Sequence, residues 1–219
     1  MNPHTDIAES NPSDSLYLEA IALLQSWQQE AARHEELAEA AALATVGKDG
    51  DPDVRMVLIK AIDPAGLVFF TNRNSRKGQD LAFQPRCALV FHWKSLHRQV
   101  RVSGTTCSLN AEESDRYFAS RPRLSQLAAW ASEQSQPLAG RRLLEQRLET
   151  YEQHFAGQAV SRPPHWVGYR IAPYRLEFWQ EEPGRLHRRQ LYYNEQVDHR
   201  QSAHPNQEKA GWASILLQP

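Results

Sequence analysis

Arg55-Met-Val-Leu-Ile-Lys60, followed after the turn Asp63-Pro64-Ala65-Gly66 by Phe69-Phe70-Thr71-Asn72-Arg73-Asn74-Ser75-Arg76-Lys77, is the stretch whose reading decides the fold. It reads as two short apolar strands, Arg55–Lys60 and Leu67–Thr71, joined by a Pro/Gly turn and running out into a cation-rich loop. Five bases (Arg55, Lys60, Arg73, Arg76, Lys77) stand against one acid, Asp63, a local balance of +4 in a chain of net charge −1. Clustered Arg, Lys, Ser, Thr and Asn at the ends of apolar strands suit a small phosphorylated ligand, because charge-assisted bonds to phosphate oxygens are strong and directional. A solvated basic hairpin is the other reading of this stretch by itself.

Outward from it, the neighbouring segments repeat the strand habit. Ala42–Val46 precedes it across the turn Gly47-Lys48-Asp49-Gly50; Cys87–Trp93 and Gln99–Ser103 follow, the latter alternating Val100 and Val102 against Gln99 and Arg101. A short helix over Ser75–Phe83, halted at Gln84-Pro85, separates the two groups. This meander of short antiparallel strands is the pattern of a small barrel. Upstream, residues 1–12 read as a polar lead, and a helix starting near Asp14 or Ser15 carries the apolar stripe Ala20, Leu24, Trp27, Ala31. Downstream, Asn110 caps a helix through Tyr117 and Phe118 that ends at Arg121-Pro122-Arg123, and a second spans Ser125–Ala131. A third runs from Pro137 to Gly157, its stripe marked by Leu144, Leu148, Tyr151 and Phe155. The strands Trp166–Ile171, Tyr174–Gln180, Leu186–Tyr193 and Ala213–Leu217 complete the chain, with Glu195–Lys209 as a loop without period. The fold class is therefore mainly β with helices (α+β).

Composition limits the function. The 219 residues are 41% hydrophobic and 23% charged, as in ordinary globular proteins, and no apolar run approaches the roughly 20 residues of a membrane span. Residues 1–53 hold eleven acids and two bases, so the chain lacks the overall basicity of a nucleic-acid binder. The N-terminus has no basic segment followed by an apolar core, and Cys87 and Cys107 stand far apart; a cytoplasmic protein without a structural disulfide is expected. No metal site is expected, since His92, His97, His154, His165, His199 and His204 have no ligand spacing.

Three clusters carry candidate chemistry. In Arg185-Leu-His-Arg-Arg189, read as strand, Arg185, His187 and Arg189 share one face, and a row of cations is best explained by an anion between them. In the strand before it, Arg175, Glu177 and Trp179 share a face; a Trp there suits a lid over a flat ring, a dimer contact or core packing. Tyr117 and Arg121, four apart on one helix, meet Ser125 at a helix junction whose free N–H groups favour phosphate. Gly-rich phosphate loops, HExxH and GxSxG are absent, and no protein nucleophile stands out, so an enzyme of this kind needs a cofactor for its chemistry.

Taken in order, Arg55–Lys60, Phe69–Lys77, Arg98-Gln99-Val100, Arg121–Gln126, Trp130–Ser135, Leu176–Trp179 and Arg185–His187 closely resemble the pyridoxine/pyridoxamine 5′-phosphate oxidase family, from about Ala42 to the C-terminus. The resemblance implies an FMN-binding split β-barrel that works as a homodimer: residues 1–40 as tail and helix, then one barrel domain over 41–219 with a helical insertion at about 110–157. By the same resemblance Arg55, Met56, Val57, Leu58, Phe70, Thr71, Arg76, Lys77 and Gln99 bind FMN, joined across the subunit interface by Gln134, Ser135, Trp179 and Arg189. Lys60, Tyr117, Arg121 and Ser125 hold the phosphate of the vitamin B6 substrate; Arg185 and His187 lie over its ring as catalytic residues. The implied reaction is oxidation of pyridoxamine or pyridoxine 5′-phosphate by O₂ to pyridoxal 5′-phosphate, with release of H₂O₂.

Three departures stand out. Arg188 takes the place of the family's Asp in Arg-Leu-His-Asp-Arg; the C-terminus reads Leu216-Leu217-Gln218-Pro219 rather than Arg-Leu-x-Pro; and the family's N-terminal basic segment and acidic-Pro pair are not evident. Two other readings are therefore carried: a paralogous flavin oxidase of the phenazine-biosynthesis type, and a non-catalytic flavin- or pyridoxal-phosphate-binding protein. Retention of Arg121, Ser125, Arg185 and His187 favours the B6 enzyme.

Overall fold

The computed structural model describes residues 12–198 and 211–219. The polar lead (apart from Pro12), most of the loop expected over Glu195–Lys209, and both His199 and His204 lie outside the described residues. In chain order the elements are α1 (Pro12–Ala31), β1 (Ala40–Val46), β2 (Pro52–Asp63), β3 (Gly66–Asn72), α2 (Arg76–Phe83), β4 (Arg86–Trp93), β5 (Arg98–Ser108), α3 (Ala111–Ala119), α4 (Arg123–Ala131), α5 (Arg141–His154), β6 (Trp166–Gln180), β7 (Arg188–Asn194) and β8 (Trp212–Leu217). Strand order is β3-β2-β1-β4-β5-β6-β7-β8, and β3 also pairs with β6, so six strands close on themselves and β7 and β8 continue the sheet beyond β6. This is the barrel with helices that the alternation predicts.

The described residues form two compact units. One takes in the residues up to Glu39, Val90–Ser103 and those from Pro173 onward; the other is Ala40–Leu89 with Gly104–Ala172.

In the second unit, β2 owes its place to alternation: Val57 and Ile59 are buried, while Val54, Met56 and Leu58 face outward. Its register against β3 shifts between Ile59 (opposite Phe69) and Ala61 (opposite Val68), which makes Lys60 the extra residue of a β-bulge. Gly66, at φ +129°, turns the chain into β3 with its α-carbon packed against the carbonyl of Ile171, a place that no Cβ fits. Asn110 caps α3 by accepting from the Glu113 N–H at 2.8 Å, as its sequence spacing predicts. α4 begins at Arg123, two residues before the expected Ser125, because Pro122 suits a helix start. α5 begins at Arg141 rather than Pro137, after Gly140. Its stripe packs through Leu148 and Tyr151 against a core of Phe118, Leu127, Phe155, Val160 and Trp166.

In the first unit, Ala20, Ile21, Leu24 and Ala31 bury one face of α1, which starts at Pro12, a residue favoured in a first helical turn, rather than at Asp14 or Ser15. The Tyr192 hydroxyl on β7 donates to Glu19 on α1 at 2.7 Å. Two expectations are corrected. The strands expected over Trp166–Ile171 and Tyr174–Gln180 are one strand, β6. Its first part pairs with β3 up to Ile171 and its last part with β7 from Arg175 on, so Pro173, which has no N–H to give, falls between those two ladders. The strand expected from Leu186 begins at Arg188 instead. Residues Pro183–Arg185 form a tight turn in which Gly184 and Arg185 both hold positive φ, +67° and +63°. Arg185 and His187 therefore precede the strand, and the shared-face argument for a row of three does not apply. The described part of the Glu195 loop is an ordered turn, closed by Asp198, buried and paired with Arg175 at 2.8 Å.

Candidate functional site

β2, β3, α2, α3 and α4 of the second unit enclose a cavity of about 420 Å³. Met56, Val57, Leu58 and Lys60 line it from β2, Phe70 and Thr71 from β3, and Lys77 from α2. Tyr117, Arg121 and Ser125 come from the α3–α4 junction, and Gln134 from the segment after α4. These are eleven of the side chains singled out in the sequence. Alternation along β2 puts Lys60 on the outward face it shares with Met56 and Leu58, opposite Arg55, and the bulge changes the register just after it.

Part of the cavity wall is aromatic. Phe70 stacks on Tyr117 (centroids 4.0 Å apart, planes 11° apart) and on Trp166 (5.0 Å, 7°), giving three nearly parallel rings. Two cations sit among these neighbours with neutral partners. Lys77, buried, donates from Nζ to Gln134 Oε1 at 2.8 Å and Thr71 Oγ1 at 3.3 Å; burial, aided by the nearby charge of Arg55, pushes its pKa below the ordinary lysine value. Arg121 packs its guanidinium over Trp166 (4.9 Å) and Phe118 (5.5 Å), and its Nη1 is buried without a hydrogen-bond partner. Burial lowers its pKa as well, against the opposing effect of Tyr117. The first turn of α4 beside it has no side-chain cap. Dehydrated cations, free helix N–H groups and hydroxyls are a donor set for phosphate oxygens. Flat rings suit a planar heterocycle. These features fit a phosphorylated ring compound, cofactor or substrate.

A second cavity of about 310 Å³ shares Phe70, Thr71, Arg121, Ser125, Gln134 and Trp166 and adds Asn72, Ala128, Ala129 and Ser132. Trp166, Ala128 and Ala129 are lining residues that sequence reasoning missed, while Asn72, Pro122 and Ser132 stand in the quoted stretches without a role of their own. The available signal for Trp166 was its place opening a strand two residues before Gly168, opposite Phe70.

The remaining candidates lie elsewhere. Arg55 turns inward, donating to Thr45 Oγ1 at 2.6 Å and pairing with Asp53; Arg76 pairs with buried Asp80 at 3.0 Å. Asp80, which also accepts from Thr45, anchors this corner and gave no signal in the sequence. Ser135 is exposed at φ +71°, uncommon for a residue with a Cβ.

Gln99, Trp179, Arg185, His187 and Arg189 belong to the first unit. Trp179 lies opposite Arg189 on β7, and its ring is 4.7 Å from that of His187. Arg189 is held by two partners: Nε and Nη2 reach Glu177 Oε1 at 2.9 and 2.8 Å, and Nη1 donates to the Gln218 carbonyl at 2.8 Å. The divergent C-terminus thus contributes through its main chain. Glu177 is 2% exposed, and its Oε2 lies 3.5 Å from Arg101. Arg185 is exposed on its turn. Arg188 lines a different cavity of about 590 Å³ together with Glu19, Trp27, Arg98 and Tyr192. Among the described residues, no group of three or more His, Cys, Asp or Glu could hold a metal ion.

Comparison with known proteins places these residues in context. The family model described as pyridoxamine 5′-phosphate oxidase matches residues 28–155, and the one described as pyridoxine 5′-phosphate oxidase C-terminal dimerisation region matches residues 166–219. A pyridoxine/pyridoxamine 5′-phosphate oxidase of Azorhizobium caulinodans is 51% identical over 178 residues, 81% of this chain and 84% of that one. Among solved structures, PhzG from Burkholderia lata 383, in complex with tetrahydrophenazine-1-carboxylic acid, superposes with a TM-score of 0.79 at 31% identity, covering 100% of this chain and 98% of that chain. A pyridoxamine 5′-phosphate oxidase-related, FMN-binding protein from Nostoc punctiforme shares the fold, with a TM-score of 0.67 at 16% identity over 89% of this chain and 95% of that chain.

Proposed function

The chain belongs to the pyridoxamine 5′-phosphate oxidase family, and from that premise we propose that it oxidises pyridoxamine 5′-phosphate, pyridoxine 5′-phosphate or both to pyridoxal 5′-phosphate, with FMN as cofactor and O₂ as acceptor. The observation that carries the reading is Arg121: a guanidinium with a buried, unpartnered N–H, in a cavity with Lys60, Tyr117 and Ser125. Such a group calls for an anion from outside the protein, and a phosphate monoester supplies it. Lys77, Thr71 and Gln134, with Met56, Val57, Leu58 and Phe70, would hold FMN; Gln99, Ser135, Trp179 and Arg189 are assigned to it by family pattern. Held there, FMN would supply the two-electron acceptor for a hydride from the substrate's C4′ carbon, with O₂ as the final acceptor and H₂O₂ as its product. The amine substrate also consumes water and releases ammonia.

The chain's own part is positioning. Phosphate contacts fix one end of the substrate, the rings of Phe70 and Tyr117 restrict its tilt, and the apolar lining limits water at the reacting carbon. Arg185 and His187 act on the substrate ring in this reading. A homodimer is part of it, supported by the exposed apolar row Val54, Met56 and Leu58 on β2 and by the match to a dimerisation region. No helix among the described residues is long and apolar enough to cross a membrane, and a cytoplasmic location completes the proposal.

The likeness to PhzG keeps a second reading in view, a flavin oxidase acting on a phenazine-type ring. One experiment tests both. The purified yellow protein is mixed without oxygen with pyridoxamine 5′-phosphate, and separately with tetrahydrophenazine-1-carboxylic acid. Bleaching of the flavin by the phosphate ester, and H₂O₂ under air, is the expected result; a flavin that no B6 phosphate reduces overturns the proposal.

A further inference from the structure

Trp166 has no role in the chemistry described so far, yet it is the residue most closely built around Arg121. It is 7% exposed, fixed edge-on by Phe118 (centroids 5.1 Å apart, planes at 70°) and face-on by Phe70. Its main-chain carbonyl accepts from Arg162 at 2.7 Å, which pins the start of β6. The guanidinium carbon of Arg121 lies 4.9 Å from its ring centroid, while no carboxylate among the described residues pairs with Arg121. A ring face attracts the cation without occupying its N–H groups. A carboxylate in the same place would neutralise those groups and compete with an incoming anion.

We infer that Trp166 is a positioning and specificity-determining residue: it holds Arg121 flat, dry and unneutralised, so that the phosphate of the substrate becomes its counter-ion. The inference rests on the reading of the preceding subsection. It assigns the preference for phosphorylated over unphosphorylated B6 compounds partly to an aromatic side chain that never carries charge. Packing alone does not account for the arrangement. A core Trp needs no cation on its face, and a core Arg is ordinarily given an acid.

The test uses the flavin-loaded protein and two variants, W166L, which removes the ring, and W166F, which keeps a smaller and weaker one. Three quantities are read: the KM for pyridoxamine 5′-phosphate, the KM for unphosphorylated pyridoxamine, and the inhibition constant of inorganic phosphate. The expected result is a rise of about tenfold in the phosphate-ester KM and in the phosphate inhibition constant for W166L, and about threefold for W166F, given the strength of a dehydrated cation–π contact. The KM for unphosphorylated pyridoxamine should move less than twofold. A flavin-loaded W166F with the wild-type phosphate inhibition constant overturns the inference, and W166F reports even where W166L does not fold. Parallel loss on both substrates, with kcat falling alongside, marks Trp166 as merely structural and also overturns it. A wild-type protein that oxidises no B6 phosphate overturns the preceding reading instead, and phosphate binding to Arg121, followed by its quenching of flavin or tryptophan fluorescence, then still tests the part played by Trp166.

Discussion

Glu177 shows what one residue can decide. Its carboxylate is almost wholly buried and holds Arg189 through two N–H groups, with Arg101 beside it. Removing one partner of a fully buried pair typically costs roughly 3–5 kcal/mol; with Arg189 a quarter exposed, Glu177→Gln should cost about 2–3 kcal/mol in urea unfolding. A loss under about 0.5 kcal/mol would show that solvent already screens the pair. On the proposed assignment of Arg189 to the flavin, the variant should also retain less of it on dialysis, because Arg189 loses its fixed orientation. At this scale the sequence was informative about faces and silent about partners. Alternation put Arg175, Glu177 and Trp179 together, but nothing local revealed that Glu177 would be inside with two cations. It misplaced Arg185 and His187, since the positive φ at Arg185 depends on a turn that only Gly184 hints at.

Elements translate such details into the site. Gly168 on β6 lies opposite Phe70 on β3, and a Cβ there would come within 2.7 Å of the Phe70 ring and 2.6 Å of Leu109. Gly168→Ala should therefore push Phe70 off Tyr117, lowering stability by about 1–3 kcal/mol and raising the substrate KM together. An alanine variant with unchanged KM would separate the ring stack from binding. α1 is tied to β7 by Tyr192 and Glu19. Burial first, and then the bond to Glu19, hold the Tyr192 hydroxyl up to about 12. The native chain thus keeps a proton that the unfolded chain gives up above pH about 10. The stabilisation is complete below that pH and is lost as pH rises toward 12. Denaturant unfolding at pH 8, 10 and 11.5 should show wild type losing its advantage over Tyr192→Phe; a constant difference would refute the tether. Helix and strand identities were legible because period and turn residues are local signals. Boundaries failed where tertiary pairing decides, as at Pro173, and where a helix opens after a glycine rather than at the proline before it, as at Gly140.

For the molecule as a whole, a small barrel was readable from the alternation, and the strand pair that closes it was not. The pairing of β3 with β6 joins residues nearly a hundred positions apart, as in Phe70 with Gly168, and no periodicity encodes it. The candidate cavity was readable as a cluster of cations with Phe70 and Tyr117 among them, whereas the part of Trp166 was not, since a Trp opening a strand looks like any core residue. The unpaired Arg121 has a consequence for the molecule when empty. A fold that keeps a dehydrated cation without a counter-ion sacrifices stability for function. Arg121→Met should raise the thermal midpoint of the ligand-free protein by about 2–4 °C, on the order of 1 kcal/mol for a chain of this size, while abolishing the further rise that a phosphate ester gives the wild type. A lower midpoint in scanning calorimetry would show that the arginine packs better than its charge harms. On this view the protein is at its most robust only when its own substrate or product is bound, and its lifetime in the cell follows the supply of the compounds it converts.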